Sequence, residues 1–135
     1  MGTNIQSVID AFCIKMPSVD FSSQEDVLFQ IFKSAIGYTS STLGTLTYTV
    51  DETTYEGTFT DTLTQSDIEL ISLGMVREYY RRPLSAFMFK KQYIGTKDFD
   101  KLPNLKDGYA IAKDVYATAD AEFDKYKHEF YSYVE

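Results

Sequence analysis

A heptad pattern of apolar side chains runs through the last quarter of the chain. The positions advance in alternating steps of three and four residues: Tyr109, Ala112, Tyr116, Ala119, Phe123, Tyr126 and Phe130. This spacing places the side chains on one stripe of an α-helix. It predicts a helix from 105 to 130, with Asn104 as its N-cap and a length of roughly 39 Å. Large and small side chains alternate along the stripe, which favours packing against other helices of the same chain.

A helix of this length is long for a chain of 135 residues, so we expect one end to extend past the core. The length of the chain favours one domain over residues 1–135. Hydrophobic residues make up 44% of the sequence and charged residues 24%, which is typical of a folded protein and argues against general disorder.

Two more helices are predicted in the first third of the chain. Apolar residues recur at helical spacing over 4–14. A second helix is predicted over 23–37, because Ser22 and Glu25 have the spacing of a capping box. Gly37 is a typical C-terminal stop for this helix.

A central helix is predicted to begin at Thr64, with Asp67 in the capping position three residues later. It is apolar around most of its circumference, which is typical of a buried helix. Pro83 opposes continuation without a kink, so residues 84–93 are expected to add a helical turn or two. Residues 94–104 read as a loop.

Threonine is concentrated between the second and third helices, and apolar residues alternate with it there. This alternation predicts a β-hairpin insertion near 43–60, with a turn at 51–54. The fold class that follows is mainly α: a helical bundle of about four helices with a long C-terminal helix and a small β-hairpin insertion.

Charge is unevenly distributed along a chain whose net charge is −7. Residues 39–76 carry six acidic groups and no Lys or Arg, whereas residues 77–113 carry nine basic groups and four acidic ones. The acidic balance opposes sequence-independent DNA binding, which depends on a cationic surface.

The basic segment is the candidate for a subunit or partner interface. Its residues are Arg77, Arg81, Arg82, Lys90, Lys91 and Lys97. Phe87 and Phe89 interleave them, which favours a protein-docking face. The alternative is a small helical nucleic-acid-binding or regulatory protein that uses this 77–97 face.

No arrangement of residues in the sequence indicates catalysis, so we expect no enzymatic activity, no metal site and no cofactor. The single cysteine, Cys13, lies between Phe12 and Ile14, as is typical of an unreactive buried thiol. The single histidine, His128, is predicted to lie on the solvated side of the last helix. The chain has no apolar run long enough to predict a membrane span.

Three stretches resemble the head-to-tail connector proteins of tailed bacteriophages, also called adaptor, head-completion or neck proteins. The first is the helix 24–36 with the extended segment after it. The second is 64–79, similar to the family's E-I-x-I-L-A-x-x-M-V-x-E-W helix, with Ser72 and Tyr79 in place of its Ala and Trp. The third is Thr96-Lys97-Asp98-Phe99, similar to the T-K-D-Y/F loop, followed by a long helix with an aromatic end.

This resemblance implies a structural virion protein of the neck region, assembled in the host cytoplasm. Such subunits form a ring, usually twelvefold, beneath the portal protein of the filled capsid. The ring extends the DNA channel and gives the stopper or tail-completion protein its platform. An acidic channel would repel phosphates, so that packaged DNA passes through without specific binding.

The resemblance also implies that the C-terminal tail, residues 130–135, docks into the portal. Phe130, Tyr131 and Tyr133 are the candidate anchors, because aromatic side chains crowd a segment that would otherwise fray. The alternative is that Phe130 and Tyr133 fold back onto the N-terminal helix and complete the core of the subunit.

Overall fold

The structure is a computed structural model that describes residues 2–51 and 53–131. Within these residues it has five helices and one two-stranded antiparallel sheet, so the predicted mainly α fold with a small hairpin is confirmed. The elements in chain order are α1 (Ile5–Lys15), α2 (Glu25–Leu43), β1 (Tyr48–Val50), β2 (Gly57–Phe59), α3 (Gln65–Ile94), α4 (Thr96–Asp100) and α5 (Pro103–Tyr131).

The hairpin confirms the prediction for 43–60. Tyr48 pairs with Phe59 and Val50 with Gly57, and residues 53–54 form the described part of the turn. Two strands of three residues are too short to be stable alone. The Tyr48 and Phe59 rings pack against Phe32 of α2, with ring centroids 5.4 and 5.9 Å away, so α2 supports the sheet.

The predicted bounds of α2 are wrong at both ends. Its N-cap is Gln24, without a side-chain cap, so the Ser22–Glu25 capping box does not form. The helix continues through Gly37 and stops at Gly44, where φ is +81° and ψ is 176°. Thr39, in the part of the helix beyond Gly37, is fully buried and donates its hydroxyl to the Ala35 carbonyl at 2.9 Å.

The capping box at the start of α3 is confirmed in both directions. The Asp67 N–H donates to Oγ1 of Thr64, and the Thr64 N–H donates to Oδ2 of Asp67, each over 3.1 Å. The helix then continues through Pro83 to Ile94 as one element of 30 residues. Residues 84–93 are therefore helical, as expected, and beyond the proline Phe87 lies against Gly108 of α5.

Helix α3 is central: α1, α2 and α5 all pack against it. Leu70, Ile71 and Met75 are fully buried. Helices α2, α3 and α5 come together at Gly74, where a Cβ would lie 3.4 Å from both Phe123 of α5 and Thr39 of α2. A small residue at this position lets three helices meet.

The segment 94–104 is not a simple loop. It contains α4, whose Phe99 is fully buried and meets the Tyr109 ring edge-on with centroids 5.9 Å apart. Helix α5 begins at Pro103, so Asn104 lies inside the helix and is not its N-cap. Proline suits a first helical turn, since its missing N–H has no partner there in any case.

The heptad stripe of α5 packs within its own chain, as predicted, and its main neighbour is α3. Ala112, Ala119 and Phe123 are buried, while Phe130 at the end of the stripe is 44% exposed. The main hydrophobic core includes no residue from 81 to 118. We call residues 84–113, which form the end of α3, α4 and the start of α5, the distal arm. No residue of the arm belongs to that core.

Candidate partner-binding surfaces

Arg77, predicted as part of an exposed basic face, lies between helices. Its Nε donates to Oδ1 of Asp120 at 2.7 Å, and its guanidinium lies 3.7 Å from the centre of the Tyr38 ring. Burial by itself would lower the pKa of Arg77, but the hydrogen bond to Asp120 and the nearby tyrosines raise it above its usual value. Arg77 therefore joins α2, α3 and α5 and does not form part of an exposed face.

Glu78 is buried, with 6% of the residue exposed, and it balances two of the basic residues. Its Oε2 accepts from Arg77 at 2.6 Å, and its Oε1 accepts from Arg81 at 3.2 Å. A carboxylate inside a protein is tolerated when it is paired in this way. Arg81 and Arg82 are exposed beside Gln30 of α2.

The three lysines of the predicted face belong to the distal arm. Lys91 lies 5.0 Å from the centre of the Tyr109 ring, and Lys90 lies 5.6 Å from that of Phe87. Lys97 is exposed on α4. Among the described residues, no lysine of the arm forms an ion pair with a carboxylate. The predicted basic set is thus divided into three parts: Arg77 packs between helices, Arg81 and Arg82 are exposed beside α2, and the three lysines lie in the arm.

The arm also exposes an unusual share of large apolar side chains. The described residues include eight exposed large apolar side chains, and five of these lie in the arm: Met88, Phe89, Tyr93, Leu102 and Ile111. Phe89 is 69% exposed and Tyr93 82%. Because they are four residues apart in α3, they share one face of that helix.

The opposite face of the same helix segment packs against α5. A Cβ on Gly108 would lie 2.6 Å from Cζ of Phe87, so these two helices are in close contact at this level. Phe89 follows Phe87 by two residues, which is roughly 200° around the helix axis. Phe89 was predicted from the sequence as part of a docking face, whereas Tyr93 was not. The four-residue spacing between them indicates that they share a helix face.

The C-terminal candidates are divided as well. Phe130 stacks on Tyr126, with ring centroids 4.4 Å apart, and remains partly exposed. The Tyr131 hydroxyl donates to Oδ1 of Asp67 at 2.7 Å, so this tyrosine contacts the first turn of α3 in its own chain. Tyr133 lies outside the described residues.

A groove of about 350 Å³ lies between α2 and the hairpin; we call it the hairpin groove. Its lining residues are Asp26, Phe29, Gln30, Lys33, Tyr48, Val50 and Tyr55. Tyr55 has a left-handed backbone, with φ of 61°, and its ring centroid lies 5.2 Å from that of Phe29. The groove is therefore lined in part by aromatic rings, and its charged lining side chains are one carboxylate, Asp26, and one ammonium group, Lys33.

A wider groove of about 490 Å³ lies between α1, α3 and α5. Its charged lining residues are Lys15, Lys125, Glu122 and Glu129. The positive and negative charges are equal in number, and Lys15 is already paired with Glu69 at 2.9 Å. This groove has no marked charge preference for a partner.

Cys13 lies on α1 and His128 on α5. Cys13 is partly buried, and burial and the charge of Asp10 raise the pKa of its thiol. His128 is exposed on α5. Across residues 2–51 and 53–131, no three His, Cys, Asp or Glu side chains are grouped as metal ligands would be.

In the same described part of the chain, no helix has both the length and the apolar character that crossing a bilayer requires. Comparison of the chain with protein-family models, with curated proteins and with solved structures finds no match.

Proposed function

We propose that this protein is a structural head-to-tail connector that forms a ring beneath a portal and works by contact, without enzymatic activity. The observation that carries the proposal is the distal arm, which holds five exposed large apolar side chains outside the main core. Exposed apolar side chains gathered in one part of a small domain are typical of a protein-binding surface. The resemblance of 64–79 and 96–99 to the connector family supplies the identity of the partner.

The C-terminal end of α5 is the proposed portal contact. Phe130 supports this assignment because its ring is stacked on Tyr126 and partly exposed, which suits an aromatic anchor. The Tyr131 hydroxyl donates a hydrogen bond to Asp67 of its own chain, so Tyr131 positions the end of α5 and does not serve as an anchor for the portal.

Co-sedimentation with an assembled portal ring tests the proposal. We expect the full chain to sediment with the portal and the Phe130→Ser variant to lose this binding while keeping its thermal stability. Deletion of 132–135 leaves the Tyr131–Asp67 bond in place, so it tests the tail without removing that contact. The matched control is Tyr126→Phe, which keeps the aromatic stack.

The alternative function predicts a different result in the same assay. A nucleic-acid-binding protein that uses Arg82, Lys90 and Lys97 would bind free duplex DNA with a steep dependence on salt. Binding to duplex at near-physiological salt, with no binding to portal, would contradict the connector proposal.

A further inference from the structure

The apolar face formed by Phe89 and Tyr93 is part of a positively charged unit. The distal arm contains six lysines and three aspartates, whereas the rest of the chain contains seven basic and seventeen acidic residues. The arm therefore carries a net charge of +3 and the remainder −10. Since no arm lysine forms an ion pair within the described residues, the positive charge is available to a partner.

The same chain carries a surface with the complementary properties. The hairpin groove contains the Phe29 and Tyr55 rings, and the Asp26 and Glu25 carboxylates of α2 lie on either side of these rings, beside the hairpin. Asp51 and Glu56 are exposed on the hairpin itself. Lys33 is the one basic residue that lines the groove, and its ammonium group lies over the Phe29 ring.

We propose that the Phe89–Tyr93 face of the arm in one copy docks in the hairpin groove of a second copy of this chain. The occupant is a second copy because both complementary surfaces belong to one sequence. A contact between two arms would bring two charges of like sign together, which opposes association. The inference rests on the proposed function, which requires copies of the chain to assemble, and it names the contact between them.

We infer that the contact runs in one direction, with the arm of one copy in the groove of the next, which makes it heterologous. Each copy then retains a free arm at one side and a free groove at the other. Such contacts continue from copy to copy until they close into a ring or extend into a filament. A symmetric dimer would not leave these surfaces free.

Sedimentation velocity over a concentration series tests the contact, with two variants that alter exposed residues. The arm variant Phe89→Ser/Tyr93→Ser removes the apolar face, and the groove variant Asp26→Lys/Gln30→Lys places positive charge along the groove. We expect wild type to associate beyond a dimer and each variant to bind itself at least about tenfold more weakly. The matched control is Ile14→Ser, since Ile14 is 78% exposed on α1.

An equimolar mixture of the two variants distinguishes a heterologous contact from a symmetric one. The arm variant still has a wild-type groove, and the groove variant still has a wild-type arm. We expect the mixture to form a dimer of about twice 15.4 kDa that does not grow further. Raising the salt concentration should weaken this dimer, because opposite charges contribute to it.

Three results would overturn the inference: a wild-type chain that stays monomeric or stops at a dimer at its highest soluble concentration, an arm variant that associates like wild type, or a mixture that forms no dimer. Portal co-sedimentation of the same proteins separates this inference from the proposed function. An arm variant that self-associates normally and still binds portal contradicts only the docking contact. A wild-type chain that assembles through arm and groove and ignores portal contradicts only the connector assignment.

Discussion

The Tyr131 hydroxyl donates a 2.7 Å hydrogen bond to Oδ1 of Asp67, which joins the last described residue of α5 to the first turn of α3. Oδ2 of the same carboxylate accepts from the Thr64 N–H. One side chain therefore caps the central helix and anchors the end of the C-terminal helix. The two helices are held together at this end by a polar contact.

Replacing Tyr131 by Phe removes that hydroxyl and keeps the ring. We expect the free energy of unfolding to fall by about 1 kcal/mol, since the bond is to a carboxylate but is partly exposed. Thermal unfolding should shift down by about 3 °C. Tyr126→Phe is the control, because no hydrogen bond of the Tyr126 hydroxyl exists among the described residues. Equal losses in both variants would contradict the role of the Asp67 contact.

Replacing Arg77 by Met leaves the buried Glu78 with Arg81 as its remaining cation. We expect a loss of about 3 kcal/mol in the free energy of unfolding, because one partner of a buried ion pair has been removed. Arg81→Met should cost under about 1 kcal/mol, since Arg81 is mostly exposed. Urea unfolding of both variants checks the order, and a larger effect at Arg81 would show that the Arg77 network is not a main support of the helix packing.

Replacing Gly37 by Ala should raise the free energy of unfolding by about 0.5–1 kcal/mol, because this glycine is inside α2. A Cβ there would meet no atom within 4 Å. The opposite result is expected for Gly44→Ala, which should cost about 1–3 kcal/mol because its backbone conformation is open essentially to glycine alone. Thermal unfolding measures both; stabilisation at Gly44 would disagree with the observed end of α2.

The Cys13 thiol is expected to react slowly with iodoacetamide at neutral pH and much faster in urea. Burial, and then the charge of Asp10, raises its pKa, so the folded protein holds less of the reactive thiolate. Because the pKa of this thiol is higher in the folded than in the unfolded protein, its protonation favours the folded state. This stabilisation is complete below about pH 8.5, the ordinary thiol pKa. It is lost as the pH rises through the folded-state pKa. Equal alkylation rates in folded and unfolded protein would contradict this.

Local spacing was sufficient to predict the elements that depend on neighbouring residues. The stripe on α5, the Thr64–Asp67 capping box and the hairpin all follow from residues a few positions apart. Gly37 was misread as a stop because its sequence signal resembles that of Gly44. The helix continues past Gly37 to Leu43, and Thr39 in this extension is buried beside Gly74 of α3, a contact that the local sequence does not show.

Contacts between distant residues could not be predicted in the same way. Nothing in the local sequence joins Arg77 to Asp120 or Asp67 to Tyr131, since each pair is brought together by the antiparallel arrangement of α3 and α5. That Phe89 and Tyr93 form an exposed face could not be predicted from the sequence, for a related reason. Until the partner of α3 is known, the side of the helix that faces solvent is undetermined.

The position of Pro83 has a consequence for how the molecule opens. Pro83 has no N–H to donate to the Tyr79 carbonyl, and it stands where the main core ends and the arm begins. Beyond it, α3 is supported by α4 and α5 and by the small cluster around Phe99. Backbone amides of the arm should therefore exchange hydrogen with solvent through sub-global opening, while amides of α3 before Pro83 exchange only when the whole protein unfolds. Docking of the arm on a partner would slow hydrogen exchange in the arm toward the rate of the α3 amides before Pro83.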